Sequence, residues 1–265
     1  SGPTVQVKHK AGYIQPYGDS RAKQIWKKPV AILVNRYSAS ASEIVAGAVQ
    51  DYKRGIVIGQ RTFGKGTVQS LESISKGQIK ITESKYYRVD GSSTQNKGVI
   101  PDIELLSTWD IESVGESSYP TAMEWDTVRP YRHKKFKFDD NQIEEINNLY
   151  SQRLNEDPNL KYLAKVRERY NQNKDKKLLS LNINTRKSEK EARRTWLLEI
   201  ENNRRKVLKL STFESYEELE EHNKNENKEN DEKIDLNKDF LLIESTNIVN
   251  DYINVNKKIL LSERE

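Results

Sequence analysis

Residues 29–59 read PVAILVNRYSASASEIVAGAVQDYKRGIVIG, and the pattern of this stretch decides the fold. Lys28 to Asn35 is an apolar run behind a proline and predicts a buried strand over 29–34. Ile44 to Tyr52 is rich in small residues with helical spacing and predicts a helix over 42–54. Gly55-Ile-Val-Ile-Gly59 is a second apolar run of strand length. If the two strands share a sheet, the helix crosses between them and they run parallel. The serines of Tyr37-Ser-Ala-Ser-Ala-Ser-Glu43 then occupy a strand-to-helix turn.

Ser40 and Glu43 make an S-x-x-E capping box, which by itself accounts for both residues as the start of the helix. A hydroxyl at a helix N-terminus is also well placed to act as a nucleophile. The free N–H groups and the positive end of the helix dipole there stabilise an oxyanion, and the N–H of Ala41 would be one donor.

The next segment, Gly59-Gln-Arg-Thr-Phe-Gly-Lys-Gly66, comes within one residue of a phosphate-binding loop, G-x-x-x-x-G-K-[ST]. The last position fails: Gly66 has no hydroxyl for a magnesium ion, and Thr67 comes one residue late. A phosphate loop must also open a helix, whereas Thr67 to Ile74 alternates like a strand. Period-two geometry is expected to set Lys65, Thr67 and Gln69 on one face.

His9, His133 and His222 are the three histidines, none near the serine turn or Lys65 in sequence. A serine can instead be activated by a lysine held as its free amine in a partly buried site. Gln69 could orient that amine without adding charge.

These residues resemble the C-terminal processing peptidases, or tail-specific proteases, which cut proteins at or near their C-termini with a serine–lysine dyad. The resemblance runs through VNRYSASASEIVAGAVQDYKRGIVIGQRTFGKGTVQ and continues in Tyr86 to Gly91, Gln95 to Asp102 and Gly115 to Asp126. It implies Ser40 as nucleophile, Lys65 as general base, Gln69 as the residue orienting Lys65, and Ala41 as an oxyanion donor. It also implies an α/β core like that of ClpP and crotonase-like proteins, present in part. A mostly α-helical C-terminal domain would follow, with no cofactor.

Implied partners are protein or peptide substrates with apolar C-termini, added as a strand beside Ser40, and an adaptor protein is a further candidate. The implied location is the periplasm or cell envelope. In that family a PDZ domain and the first part of the core precede the residue matching Ser1. They include a glycine loop that supplies the second oxyanion donor. These 265 residues alone are therefore expected to be impaired, since losing one donor costs on the order of 10²–10³ in rate.

The expected division is residues 1–108 as the protease portion and 109–265 as the helical domain. Helical periodicity appears over 141–150, 159–170, 188–208 and 239–253. Trp196, Leu197 and Ile200 form an apolar stripe, and Asp157-Pro158 reads as cap and first turn. Glu214 to Asp235 is crowded with Glu, Asn and Lys, and is expected to be a loosely packed or disordered loop.

The charge balance, 45 basic against 40 acidic residues, is only +5 and well interleaved, which disfavours a nucleic-acid partner. No apolar run approaches the ~20 residues that span a bilayer. With no cysteine, thiol chemistry and cysteine–metal sites are excluded, and the dispersed histidines suggest no metal site. Two alternatives to the protease remain: a non-catalytic interaction module, in which Ser40 is only a helix cap, and a degenerate nucleotide-binding loop.

Overall fold

The computed structural model describes residues 2–19, 24–106, 113–138, 140–232 and 236–262. The expected domain boundary at 108/109 lies outside the described residues. The chain forms two compact units, residues 1–147 with 248–265 and residues 148–247.

The first unit is built on the stretch quoted above. Strand β3 (Ala31–Val34) pairs in parallel with β4 (Ile56–Gly59), and helix α1 (Ala41–Asp51) makes the crossover between them, as the sequence predicts. β7 (Ile103–Glu104) adds to the far side of β4, also parallel. All four residues of β4 are buried, which explains why it carries no polar alternation. Val34, Ala46, Val57 and Val99 form a core cluster with Ile32. The small residues Ala46, Gly47 and Ala48 form part of the buried surface of α1.

A second sheet is antiparallel, in the order β2, β1, β6, β5, from β1 (Gly2–His9), β2 (Ile14–Asp19), β5 (Thr67–Ile74) and β6 (Gly77–Tyr87). β5 and β6 form a hairpin whose tip is exposed on both strands, and the pairing register shifts between Val68 and Gln69. Strands β1 and β3 lie in different sheets.

Asp51, at the end of α1, accepts from Arg88 Nη2 at 2.5 Å and from the N–H groups of Val89 and Asp90 at 2.9 and 3.2 Å. This buried carboxylate fastens the C-terminal end of the crossover helix to the segment after β6.

The helices α2 (Asp140–Glu156), α3 (Pro158–Lys174), α4 (Ile183–Val207), α5 (Tyr216–Glu232) and α6 (Phe240–Ser262) complete the chain. Asp157 caps α3 through the N–H groups of Asn159 and Leu160, with Pro158 in the first turn. α4 starts earlier than its apolar stripe because Asn182 caps it. In the second unit Leu160, Ile200, Phe213 and Leu219 are buried, and the Arg169 guanidinium stacks 4.3 Å from the Trp196 ring.

The expectation of a loose loop over 214–235 is corrected by α5, although residues 233–235 lie outside the described ones. The low hydrophobicity was a poor guide because Glu and Lys are good helix formers. Ser215 Oγ accepts from Glu218 N–H at 3.2 Å, Leu219 is buried, and Lys224 pairs with Glu220 one turn earlier.

Candidate active site

Ser40 sits where β3 turns into α1, and the turn itself separates it from its neighbours. Ser38 Oγ accepts from Asn35 N–H at 3.1 Å, and Asn35 Oδ1 accepts from Tyr37 N–H at 2.9 Å. The Ser38 hydroxyl therefore serves the turn. Ser42 lies exposed in the first turn of α1. Ser40 is the N-cap, but with φ 57° and ψ −114°, outside the extended region that capping residues normally occupy. A non-glycine residue there stores about 1–3 kcal/mol of strain, and such strain concentrates at functional sites. A helix cap alone would not require it. The N–H of Ala41, the first residue of α1, has no acceptor among the described residues and is available to a ligand.

Glu43 completes the capping box, with Oε2 accepting from Ser40 N–H at 2.9 Å. Its carboxylate, fully buried, also accepts from the loop that carries Lys65. Oε1 receives Thr62 Oγ1 at 2.5 Å and Gly64 N–H at 2.7 Å, and Oε2 receives Lys65 N–H at 2.9 Å. Burial pushes the Glu43 carboxyl above its ordinary value, and these four hydrogen bonds offset that only in part. One side chain thus joins the serine turn to the lysine loop.

The loop over 60–66 is further fastened to residues 94–99. Thr62 N–H donates to Val99 O at 3.1 Å, Asn96 N–H to Gly64 O at 2.8 Å, and Gly66 N–H to Gln95 Oε1 at 2.8 Å. Gln95 is fully buried and its amide donates in turn to Glu116 Oε1 at 3.1 Å. The glycines follow from this crowding. A Cβ on Gly66 would lie 2.7 Å from Gln95 N and 2.9 Å from Gln95 Cβ, so no side chain fits where a phosphate loop needs Ser or Thr. β5 begins at Thr67, so no helix follows Lys65 and the nucleotide-loop geometry is absent.

Lys65 is half-buried, and its Nζ donates to Thr67 O at 3.0 Å. No hydrogen bond joins it to Ser40 Oγ among the described residues. Gln69 donates instead to Thr82 Oγ1 at 3.2 Å and is exposed, whereas Thr67 is buried. Thr67 and Gln69 lie two positions apart in β5, and the pairing irregularity at Val68 and Gln69 leaves the extra residue, Glu83, in β6. The structure therefore joins the Ser40 and Lys65 backbones through Glu43, while the Gln69 carboxamide is bonded to Thr82.

Sequence reasoning treated Glu43 only as a capping partner and passed over Thr62, Tyr86 and Gln95. The capping box was a signal for the first; the others acquire meaning only through contacts between distant segments. His133 contacts the carbonyl of Asp51, His9 lies against Ser84, and neither bonds to Ser40. The described residues contain no cluster of metal-binding side chains.

With this geometry in hand, comparison with known proteins is direct. Residues 1–105 match the model of peptidase family S41, and residues 109–254 match the C-terminal domain of tail specific protease. The chain belongs to the tail-specific proteases of peptidase family S41. It is 39% identical over 200 residues to the tail-specific protease of Haemophilus influenzae, covering 71% of this chain and 29% of that protein. It is also 47% identical over 78 residues to the carboxy-terminal-processing protease of Bartonella bacilliformis, covering 29% of this chain and 18% of that one. Among solved structures, the photosystem II D1 C-terminal processing protease is 36% identical over 39% of this chain and 27% of its own, with a TM-score of 0.34. The chain thus spans less than a third of these relatives. No helix among the described residues is long and apolar enough to cross a membrane.

Proposed function

We propose that this chain carries the nucleophile and the general base of a serine peptidase that cleaves proteins at or near their C-termini. The observation that carries the reading is the strained Ser40 at the start of α1, with its N–H and that of Lys65 bound to one Glu43 oxygen.

In this reading the Lys65 amine leaves the Thr67 carbonyl by side-chain rotation and takes the proton of Ser40 Oγ as the oxygen attacks the scissile carbonyl carbon. The oxyanion of the tetrahedral intermediate is received by Ala41 N–H, where the helix dipole adds to the hydrogen bond. Lys65 then passes the proton to the departing amine, leaving an ester on Ser40. A water molecule attacks the ester, gives a proton to Lys65 and releases the carboxylate, with Ser40 regaining its proton. Gln69 orients the amine once its carboxamide turns away from Thr82. No cofactor enters these steps.

Substrates with apolar C-termini, an adaptor protein, and an envelope or periplasmic location belong to the same proposal, as does the expectation that these 265 residues alone turn over slowly. So does a protease portion ending near 108, followed by the helical domain. The test is cleavage of an unstructured reporter with an apolar C-terminus by the protein that carries this chain, with and without Ser40→Ala. Loss of cleavage on substitution supports the reading, and undiminished cleavage sinks it.

A further inference from the structure

The carbonyl groups of Ser40 and Lys65 meet at a single hydroxyl, as their N–H groups meet at Glu43. Tyr86, near the end of β6, is buried at 2% exposure. Its Oη donates to Lys65 O in a short contact and lies 3.2 Å from Ser40 O as a second acceptor. Tyr86 is itself anchored, because its N–H donates to Gly66 O at 2.9 Å and Val7 pairs with it across the sheet. Each of the two residues is thus held at both ends of its backbone. Glu43 takes the N–H groups, and Tyr86 takes the carbonyls.

The geometry points to Tyr86 as a positioning residue for the Ser40–Lys65 pair, fixing the separation of the two backbones so that the Lys65 amine can reach Ser40 Oγ. The inference rests on the dyad reading above. Burial, and after it the negative charge of Glu43, pushes the Tyr86 phenol well above its ordinary value, so it stays a donor at every working pH. Its neighbour Tyr87 is a natural comparison: it is also fully buried, but its hydroxyl bonds to Asp126, at 3.2 and 3.0 Å from the two carboxylate oxygens, and to neither member of the pair.

The test is steady-state cleavage of the apolar-tailed reporter by the protein that carries this chain and by its Tyr86→Phe, Tyr87→Phe and Lys65→Ala variants, each checked by thermal melting. Phenylalanine keeps the ring and so the packing. Tyr86→Phe is expected to lower kcat on the order of ten- to a hundred-fold with KM little changed, as a misplaced reacting group does. Tyr87→Phe is expected to leave kcat near wild type. As a second arm, difluorotyrosine at position 86 keeps ring and hydroxyl but ionises more readily. It should make kcat fall at lower alkaline pH than in the wild type, and the same residue at 87 should not.

A wild-type kcat in Tyr86→Phe, or equal falls in both Phe variants with matching pH profiles, overturns the positioning role while Lys65→Ala still reports on the dyad. Undiminished cleavage by Lys65→Ala overturns the dyad reading and this inference with it.

Discussion

Ser40 and Lys65, 25 positions apart in sequence, send their backbone N–H groups to the same atom, Glu43 Oε2, each at 2.9 Å. The other oxygen of that carboxylate takes Thr62 Oγ1 and Gly64 N–H. A residue that would be a helix cap partner elsewhere is here the joint between two candidate catalytic segments.

Replacing Glu43 removes the acceptor of four buried or half-buried donors. Glutamine offers one oxygen and turns an NH2 group toward the remaining N–H groups. Glu43→Gln is therefore expected to cost about 2–4 kcal/mol of stability, measured by denaturant unfolding, and to reduce peptidase activity through both segments. The pH dependence has a definite sign. The folded carboxyl holds its proton to higher pH than the ordinary value of 4.5. Its contribution to stability is complete below that value and is lost as pH rises through the raised folded value. The wild-type Tm should thus fall relative to that of Glu43→Gln on going upward from pH 4.5; a difference that stays flat or widens in favour of wild type would contradict this.

At Ser40 the backbone and the chemistry make opposite demands. A left-handed φ of 57° with ψ −114° suits glycine better than any residue with a Cβ. Ser40→Gly should then be more stable than Ser40→Ala by about 1 kcal/mol in chemical denaturation, while both variants lack hydrolysis. A glycine variant no more stable than the alanine one would remove the argument from strain.

The likeness of residues 59–66 to a phosphate loop can be tested at its point of failure. Gly66→Ser restores the hydroxyl of the motif but sets a Cβ 2.7 Å from Gln95 N. The variant is expected to lose about 1–3 kcal/mol, along with most peptidase activity, and to gain no thermal stabilisation from ATP with magnesium. A rise in Tm with nucleotide would reopen the alternative.

The sequence was most legible where the signal is local. The β3–α1–β4 crossover, the capping box at Ser40 and the Asp157-Pro158 start of α3 are set by neighbours within a few residues, and each stands in the structure. Legibility failed where distant segments decide. The pairing irregularity at Val68 and Gln69, with its extra residue Glu83 in β6, depends on how β5 pairs with β6 and is not written in the alternation of either strand. The roles of Gln95 and Tyr86 depend on loops that meet only in the fold. Composition misled over α5, because a polar stretch rich in Glu and Lys needs only a few anchors such as Leu219 to hold a helix.

The central claim is that Ser40 is a nucleophile activated by Lys65. It is tested most directly by phosphonylating the protein that carries this chain with a fluorophosphonate and mapping the adduct by mass spectrometry. The expected result is a single adduct on Ser40, formed on the order of a hundredfold or more slowly in Lys65→Ala and absent in Ser40→Ala. Modification elsewhere, or equal rates with and without the Lys65 amine, would contradict the account.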